Sequence, residues 1–579
     1  MSSTKPLPKA ARKHGPQRRR RLIALGLLAA LPALIAGLVV GARYEDSARG
    51  AVERFLAAWE KRDYGAMYGQ LGPAAKRRTS PKRLVRTYRQ AAETMTLVSV
   101  TPGRPGRIAD GHVDVPVALR TRIFGTVHGT LRLAVEQPAD GEAGVDWRAN
   151  NVAPGLRPGE RLARQTRMPP RAAIEARDGT VLAQGDARLG EADPSVSQVV
   201  GTIGPPPPER ADELQAQGVP VGAAVGLTGL EREFDDALRG TPGGTLYAGR
   251  RVIATSFPQR GSTAHTTIDP KVQKAAVEAL AGRFGGIAVV RPRTGEVLAL
   301  AGIGYSAPQP PGSTFKIVTL AGALQSGVVK RSARFPVSTS ATLEGVELQN
   351  ANGEACGGSL EASFAESCNS VFAPLGAKLG ARRLVATAER FGFNEDPSLA
   401  GEARSTIPPA EEIGDDLAVG SSAIGQGKVL ATPLLMATIA AAIGERGLRP
   451  VPALSREASG RRVRATTPAV ARTIGRFMRS VVRHGTGAAA AIPGVVVAGK
   501  TGTAELRTTV KEEPQPLQPG ETPTPAPEDD TTDTDAWFAA FAPAGRPRVA
   551  VAVLLVGQGA GGATAAPAAK TVLQAALRR

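Results

Sequence analysis

Pro311-Gly-Ser-Thr-Phe-Lys-Ile-Val-Thr-Leu-Ala-Gly-Ala-Leu324 places a serine and a lysine three residues apart, after a turn-forming Pro-Gly pair and before an apolar stretch. The turn signal ahead of Ser313 and the helix-compatible run Ile317 to Leu324 predict that Ser313 starts a helix with Lys316 one turn on, on the same face. A serine hydroxyl is a poor nucleophile until a base takes its proton, and a lysine is such a base only when neutral. Burial and a second cation nearby both lower a lysine pKa. The helix N-terminus adds partial positive charge, which disfavours the ammonium further and favours a developing oxyanion. The spacing alone is cheap, because Ser2-Ser-Thr-Lys5 fits it too, within a basic tail. Context singles out Ser313.

Two later segments supply the rest of a site. Lys500-Thr-Gly-Thr-Ala504 follows the apolar run Val495 to Ala498 and reads as a strand bordering a cleft, with Lys500 as the second cation. Gly502 has no side chain, so a substrate backbone could approach that edge and pair with it as an added strand. The backbone N–H groups of Ser313 and Thr503 are candidates for an oxyanion hole, and Lys500 with Thr501 for holding a substrate carboxylate. The other segment is Ser367-Cys-Asn369.

Working outward, the 579 residues are too many for one core and predict three or four folded units. With 42% hydrophobic and 21% charged residues, the chain is neither wholly disordered nor a multi-span membrane protein. The formal charge of +20 suggests nucleic acid until its position is read, since eight of those charges lie in residues 1–21. That tail carries no acid and precedes an apolar run, 22–42, which as a helix would span about 31 Å, enough to cross a bilayer core. A transmembrane anchor with a cytoplasmic N-terminus and an extracytoplasmic catalytic region is expected at the cell membrane. Val40-Gly-Ala42 could pass as a cleavage site, but the run is rather long for a signal peptide. Either way most of the chain leaves the cytoplasm, so genomic DNA binding is not expected.

Residues 46–71 have helical spacing, with Val52, Phe55, Leu56, Trp59 and Met67 sharing a face. Residues 112–123 and 126–135 alternate as half-buried strands, and Trp147 lies in another, so 46–155 predicts an α+β unit of one helix on a curved antiparallel sheet. Residues 156–262, rich in Gly and Pro, suit an extended module. From 263 to 579, helical and strand patterns alternate as in a large α/β domain. Within it, 507–535 holds eight acids and six prolines and reads as a solvated loop.

Ser313-Thr-Phe-Lys316, Ser367-Cys-Asn369 and Lys500-Thr-Gly502, in that order, resemble the signature of penicillin-binding proteins. Thr267-Ile-Asp269 with Gln273, Thr294-Gly-Glu-Val-Leu298, Gly425-Gln-Gly427, Thr432-Pro433, Gly485-Thr-Gly487 and Ala536-Trp-Phe538 resemble landmarks of the class B members. Phe55 to Leu71 resembles the start of the NTF2-like domain found in methicillin-resistance-type members. Arg171 to Gly179 and Gly226 to Glu231 resemble landmarks of their pedestal, or dimerisation module, although Ala172 stands where Gly is usual and Ala176 where Asp is usual.

The resemblance implies a multidomain protein: anchor, NTF2-like domain (46–155), pedestal (156–262) and penicillin-binding transpeptidase domain (263–579). It implies a peptidoglycan D,D-transpeptidase working through a Ser313 acyl-enzyme and inhibited by β-lactams. Ser367 would relay the proton to departing D-alanine, and Asn369 would orient the substrate and Lys316. The implied partners are peptidoglycan stem peptides ending in D-alanyl-D-alanine and a glycosyltransferase in the membrane. A D,D-carboxypeptidase or β-lactamase on the same site, or a non-catalytic β-lactam sensor or scaffold, are the alternatives.

No cofactor and no metal are expected, because the five histidines have no metal-ligand spacing. No G-x-S-x-G surrounds Ser313, and no segment resembles the glycosyltransferase module of class A members. Cys356 and Cys368, the only cysteines, lie in the exported part and are expected to pair, with two buried thiols as the alternative.

Overall fold

Apolar residues at every second position from Val113 to Leu119 are buried along one side of the strand His112–Thr121, the period that a half-buried strand requires. The computed structural model describes residues 45–136, 143–191, 193–505 and 534–578. The predicted tail 1–21, the apolar run 22–42 and all but the end of the acidic segment 507–535 lie outside the described residues. Among the described residues no helix is long and apolar enough to cross a membrane.

The chain forms two compact units. In the first, His112–Thr121 pairs antiparallel with Leu97–Pro102 and Thr126–Glu136, and Gly144–Asp146 extends the sheet. A helix over residues 45–60 contributes Phe55 and Trp59 to the core. The helix Pro81–Met95, capped by the Ser80 side chain on Arg83 N–H, contributes Leu84 and Tyr88. Trp147 Nε1 donates to the Tyr88 hydroxyl across 3.2 Å, so the buried indole is satisfied. Truncating a ring as buried as Trp59 costs about 3–5 kcal/mol. A three-stranded sheet of Leu162–Arg167, Gly243–Ala248 and Arg251–Ser256 belongs to the same unit.

Residues 156–262 do not stay together. The parts up to 168, 208–221 and 241–259 belong to the first unit, and 169–207, 222–240 and 260 onward to the second. In the second unit, Arg171 Nε donates to Glu231 across 2.7 Å and its Nη1 to Asp235 across 2.8 Å, with all three side chains buried. The two segments singled out around Arg171 and Glu231 therefore meet as one ion-paired knot.

The second unit is built on an antiparallel sheet of β1 (Gly285–Val290), β2 (Val297–Gly302), β3 (Ala498–Glu505), β4 (Thr534–Ala542) and β5 (Val549–Leu555). Their order is β2-β1-β5-β4-β3, which leaves β3 at an edge. On β4, Trp537 and Phe538 point into different cores, one on each face of the sheet. Helices α1 (Pro270–Leu280) and α7 (Ala565–Leu577) cover one face. The other face carries α5 (Pro433–Gly444), buried from Pro433 to Ile443, with α2 (Lys316–Gln325), α3 (Leu360–Ala365), α4 (Asn369–Leu379) and α6 (Pro468–His484) in the same core. A helix apolar on all sides is what such a sandwiched position needs. Two landmarks hold the frame together: Thr267 Oγ1 donates to Val297 O across 2.7 Å, and Gln273 exchanges two hydrogen bonds with Leu300.

Candidate active site

Ser313 lies in a short 3-10 turn, Gly312–Phe315, that runs directly into α2. The tighter turn is a common way to begin an α-helix. Because α2 is buried from Lys316 onward, the lysine is carried into the interior and has no solvent exposure. The turn is wedged from both sides. Gly312 N–H donates to Gly425 O across 2.9 Å, and a Cβ on Gly425, which has φ +79°, would stand 2.0 Å from Gly312 O. That contact gives the Gly425-Gln-Gly427 landmark a physical reason: only glycine allows both the backbone conformation and the approach.

On the other side stands β3. A Cβ on Gly502 would lie 2.8 Å from Pro311 O and 2.9 Å from Trp537 Cβ. The side of Gly502 that a Cβ would occupy thus faces the turn that carries Ser313, which accounts for a glycine at this position. The edge itself remains, since β3 pairs with β4 alone in the sheet.

Lys500 projects from β3 and is fully buried. Its Nζ donates to Ser367 Oγ across 2.8 Å and to Thr501 O across 3.0 Å. Lys316 Nζ donates to Ser367 O across 2.6 Å and Asn369 Oδ1 across 2.7 Å, with Ser367 Oγ at 3.4 Å. The Ser367-Cys-Asn369 segment therefore stands between the two lysines, at the entry to α4. Asn369 Nδ2 donates to Gln349 O across 2.8 Å, which turns its oxygen toward Lys316. Ser367 has φ +64°. Among the described residues no hydrogen bond joins Ser313 Oγ to Lys316.

Burial holds the Lys316 ammonium well below the ordinary lysine pKa, and the neighbouring charge of Lys500 adds to the effect. Burial also lowers Lys500, to about 7, against the opposing pull of the Glu366 carboxylate. Rings stand by both cations, with Phe372 5.6 Å from Lys316 Nζ and Phe364 5.6 Å from Lys500 Nζ.

Cys356 and Cys368 are joined by a disulfide with their Cα atoms 5.8 Å apart. Cys368 is the cap residue of α4, so the bridge ties Ser367 and Asn369 to the strand Cys356–Ser359. Thr486 is a residue whose role sequence reasoning missed. Its Oγ1 lies 2.6 Å from Thr501 Oγ1, beside the candidate carboxylate-binding strand. Its signal was the Gly485-Thr-Gly487 landmark at the end of α6, noted without a function. Thr503 Oγ1 accepts a long hydrogen bond, 3.4 Å, from Gly561 N–H.

A family model described as the penicillin binding protein transpeptidase domain matches residues 285–574, which contain all of these side chains. The chain belongs to that family. A second model, the penicillin-binding protein dimerisation domain, matches residues 178–254 of this penicillin-binding protein. Among its relatives is the peptidoglycan D,D-transpeptidase PbpA of Mycolicibacterium smegmatis, 34% identical over 421 residues, or 61% of this chain and 80% of the relative. Penicillin-binding protein A of Mycobacterium tuberculosis, solved as a penicillin G acyl-enzyme complex, is 28% identical with a TM-score of 0.55, covering 71% of this chain and 100% of that one. PBP2 of Pseudomonas aeruginosa, solved with WCK 5153, is 26% identical with a TM-score of 0.59, covering 72% and 97%.

Proposed function

We infer that this protein is a class B penicillin-binding protein, a serine-type peptidoglycan D,D-transpeptidase, with Ser313 as its nucleophile. The observation that carries the residue assignment is the buried network in which Ser367 and Asn369 separate Lys316 from Lys500, with Ser313 on the turn that leads into Lys316. Two short hydrogen bonds, to Ser367 O and Asn369 Oδ1, occupy two N–H groups of Lys316. In the neutral amine that burial favours, the lone pair is left to take the Ser313 proton.

Ser313 Oγ then attacks the carbonyl of the penultimate D-alanine, and the backbone N–H groups of Ser313 and Thr503 stabilise the oxyanion. As the C–N bond breaks, the proton held by Lys316 passes through Ser367 Oγ to the departing D-alanine amine. Lys500, Thr501 and Thr486 hold the substrate carboxylate. An amine of a second stem peptide attacks the ester, its proton returns by way of Lys316, and Ser313 is released with the cross-link formed. A β-lactam acylates the same serine by opening its ring.

Incubation with a fluorescent penicillin tests the assignment. Wild type is labelled on Ser313, and Ser313→Ala is not. An adduct mapped to another residue overturns it.

The remaining assignments extend this reading. Residues 46–155 form an NTF2-like domain, supported by the packing of helices on its antiparallel sheet. Residues 22–42 anchor the chain in the cell membrane with 1–21 in the cytoplasm, supported by their apolarity and the basic tail. A membrane glycosyltransferase then supplies the glycan strands that the domain cross-links.

A further inference from the structure

Helix α4 begins at the catalytic segment without a cap of its own. Its cap residue, Cys368, makes no side-chain hydrogen bond to the first turn, and its sulfur is held in the disulfide. The first N–H groups of a helix need acceptors from elsewhere. One comes from a residue 20 positions earlier: Ser370 N–H donates to Asn350 Oδ1 across 2.8 Å. Asn350 is buried, and its amide is used in full. Nδ2 donates to Ser338 O and to Glu354 O, each across 2.8 Å. Those two bonds fix which way the amide points, since only its oxygen can then face Ser370.

We propose that Asn350 is a positioning residue for the transpeptidase reaction: it caps α4 in place of Cys368 and so sets where Asn369 and Ser367 meet Lys316. The proposal rests on the site assignment above. The route is short: two hydrogen bonds joined by one peptide link. Asn350 holds Ser370 N–H, the next residue back is Asn369, and Asn369 Oδ1 receives Lys316. The neighbouring Gln349 carbonyl receives the other end of the Asn369 amide. Without Asn350 the first turn of α4 loses an acceptor and the 349–350 corner loses its anchor to Ser338 and Glu354. Lys316 then loses well-placed acceptors for two of its N–H groups.

The test compares wild type, Asn350→Ala and Asn350→Asp in the full-length protein. Acylation by a fluorescent penicillin is followed against pH, and each rate is referred to the fraction folded by circular dichroism. Aspartate keeps an acceptor for Ser370 N–H but gives up the two donors, whereas alanine gives up everything. A lost cap is worth about a factor of two to thirty, typically about five. Asn350→Ala is therefore expected to acylate about fivefold more slowly per folded molecule, with a displaced pH profile. Asn350→Asp should recover part of the rate at low pH, where its added charge is neutralised. Two results overturn the proposal: a wild-type rate and pH profile in Asn350→Ala, or a loss that only follows the fraction unfolded. If wild type itself is not labelled on Ser313, the site assignment fails instead.

Discussion

Lys500 Nζ and Ser367 Oγ are 2.8 Å apart, and the same hydroxyl stands 3.4 Å from Lys316 Nζ, so one serine is shared by two buried lysines. Two ammonium groups in that position repel, and both are desolvated. The pair is eased by keeping Lys316 neutral, the form a general base requires.

This arrangement predicts a bell-shaped dependence of acylation on pH. The rate rises as Lys316, held well below the ordinary lysine value, loses its proton. It falls above about 7 as Lys500 loses the charge that holds the substrate carboxylate. Lys500→Arg keeps a fixed cation through this range. Stopped-flow acylation should show a lower maximum and no alkaline limb near neutrality. An unchanged limb would assign it to another group.

Reduction of the Cys356–Cys368 bridge should cost roughly 3 kcal/mol of stability by the loop-entropy argument for so short a loop. It should also slow acylation, since the bridge holds Cys368 between Ser367 and Asn369. Thermal melts and labelling rates with and without reductant check both. A lower melting temperature with an unchanged rate would separate the bridge from the site.

Gly425→Ala should be severe although the residue is not catalytic. The added methyl would meet Gly312 O at 2.0 Å, at a backbone angle that alanine adopts reluctantly. A loss of about 1–3 kcal/mol is expected, together with a drop in labelling of Ser313 well beyond the loss of folded protein.

Asp535 offers a stability test. Burial raises its carboxyl to about 6, and among the described residues one of its oxygens is served, by Gly557 N–H across 3.1 Å. A folded pKa above the unfolded one means that folding binds a proton, so stability falls as pH rises from about 4 to about 6. Asp535→Asn should remove that fall and gain on the order of 1 kcal/mol at pH 8, after allowance for solvent screening, with no gain at pH 4. Parallel melts at the two pH values decide it.

Ser313, both lysines and the Ser367-Cys-Asn369 segment were legible in sequence as members of one candidate site because their chemistry is written in short range. Ser313 and Lys316 share a turn, and an apolar run follows them. The strands at 112 and 126 were legible for a similar reason, since a period of two shows within ten residues. What escaped depends on contacts between distant segments. Nothing near Gly502 says that Pro311 O fills the space above it. Thr486 and Thr501 meet only because the end of α6 reaches β3, and Asn350 meets Ser370 across 20 residues. The passage of 156–262 between two units is also a property of chain crossing, which composition does not encode.

The backbone of Ser367 lies in the left-handed region, where a side chain costs about 1–2 kcal/mol and glycine costs little. Glycine would relieve the backbone there, yet it would remove the hydroxyl that both lysines address. The strain at Ser367 is thus borne together with the hydrogen bond that Lys500 makes to its side chain. Here one side chain carries both a conformational cost to the backbone and the contact that joins two buried cations.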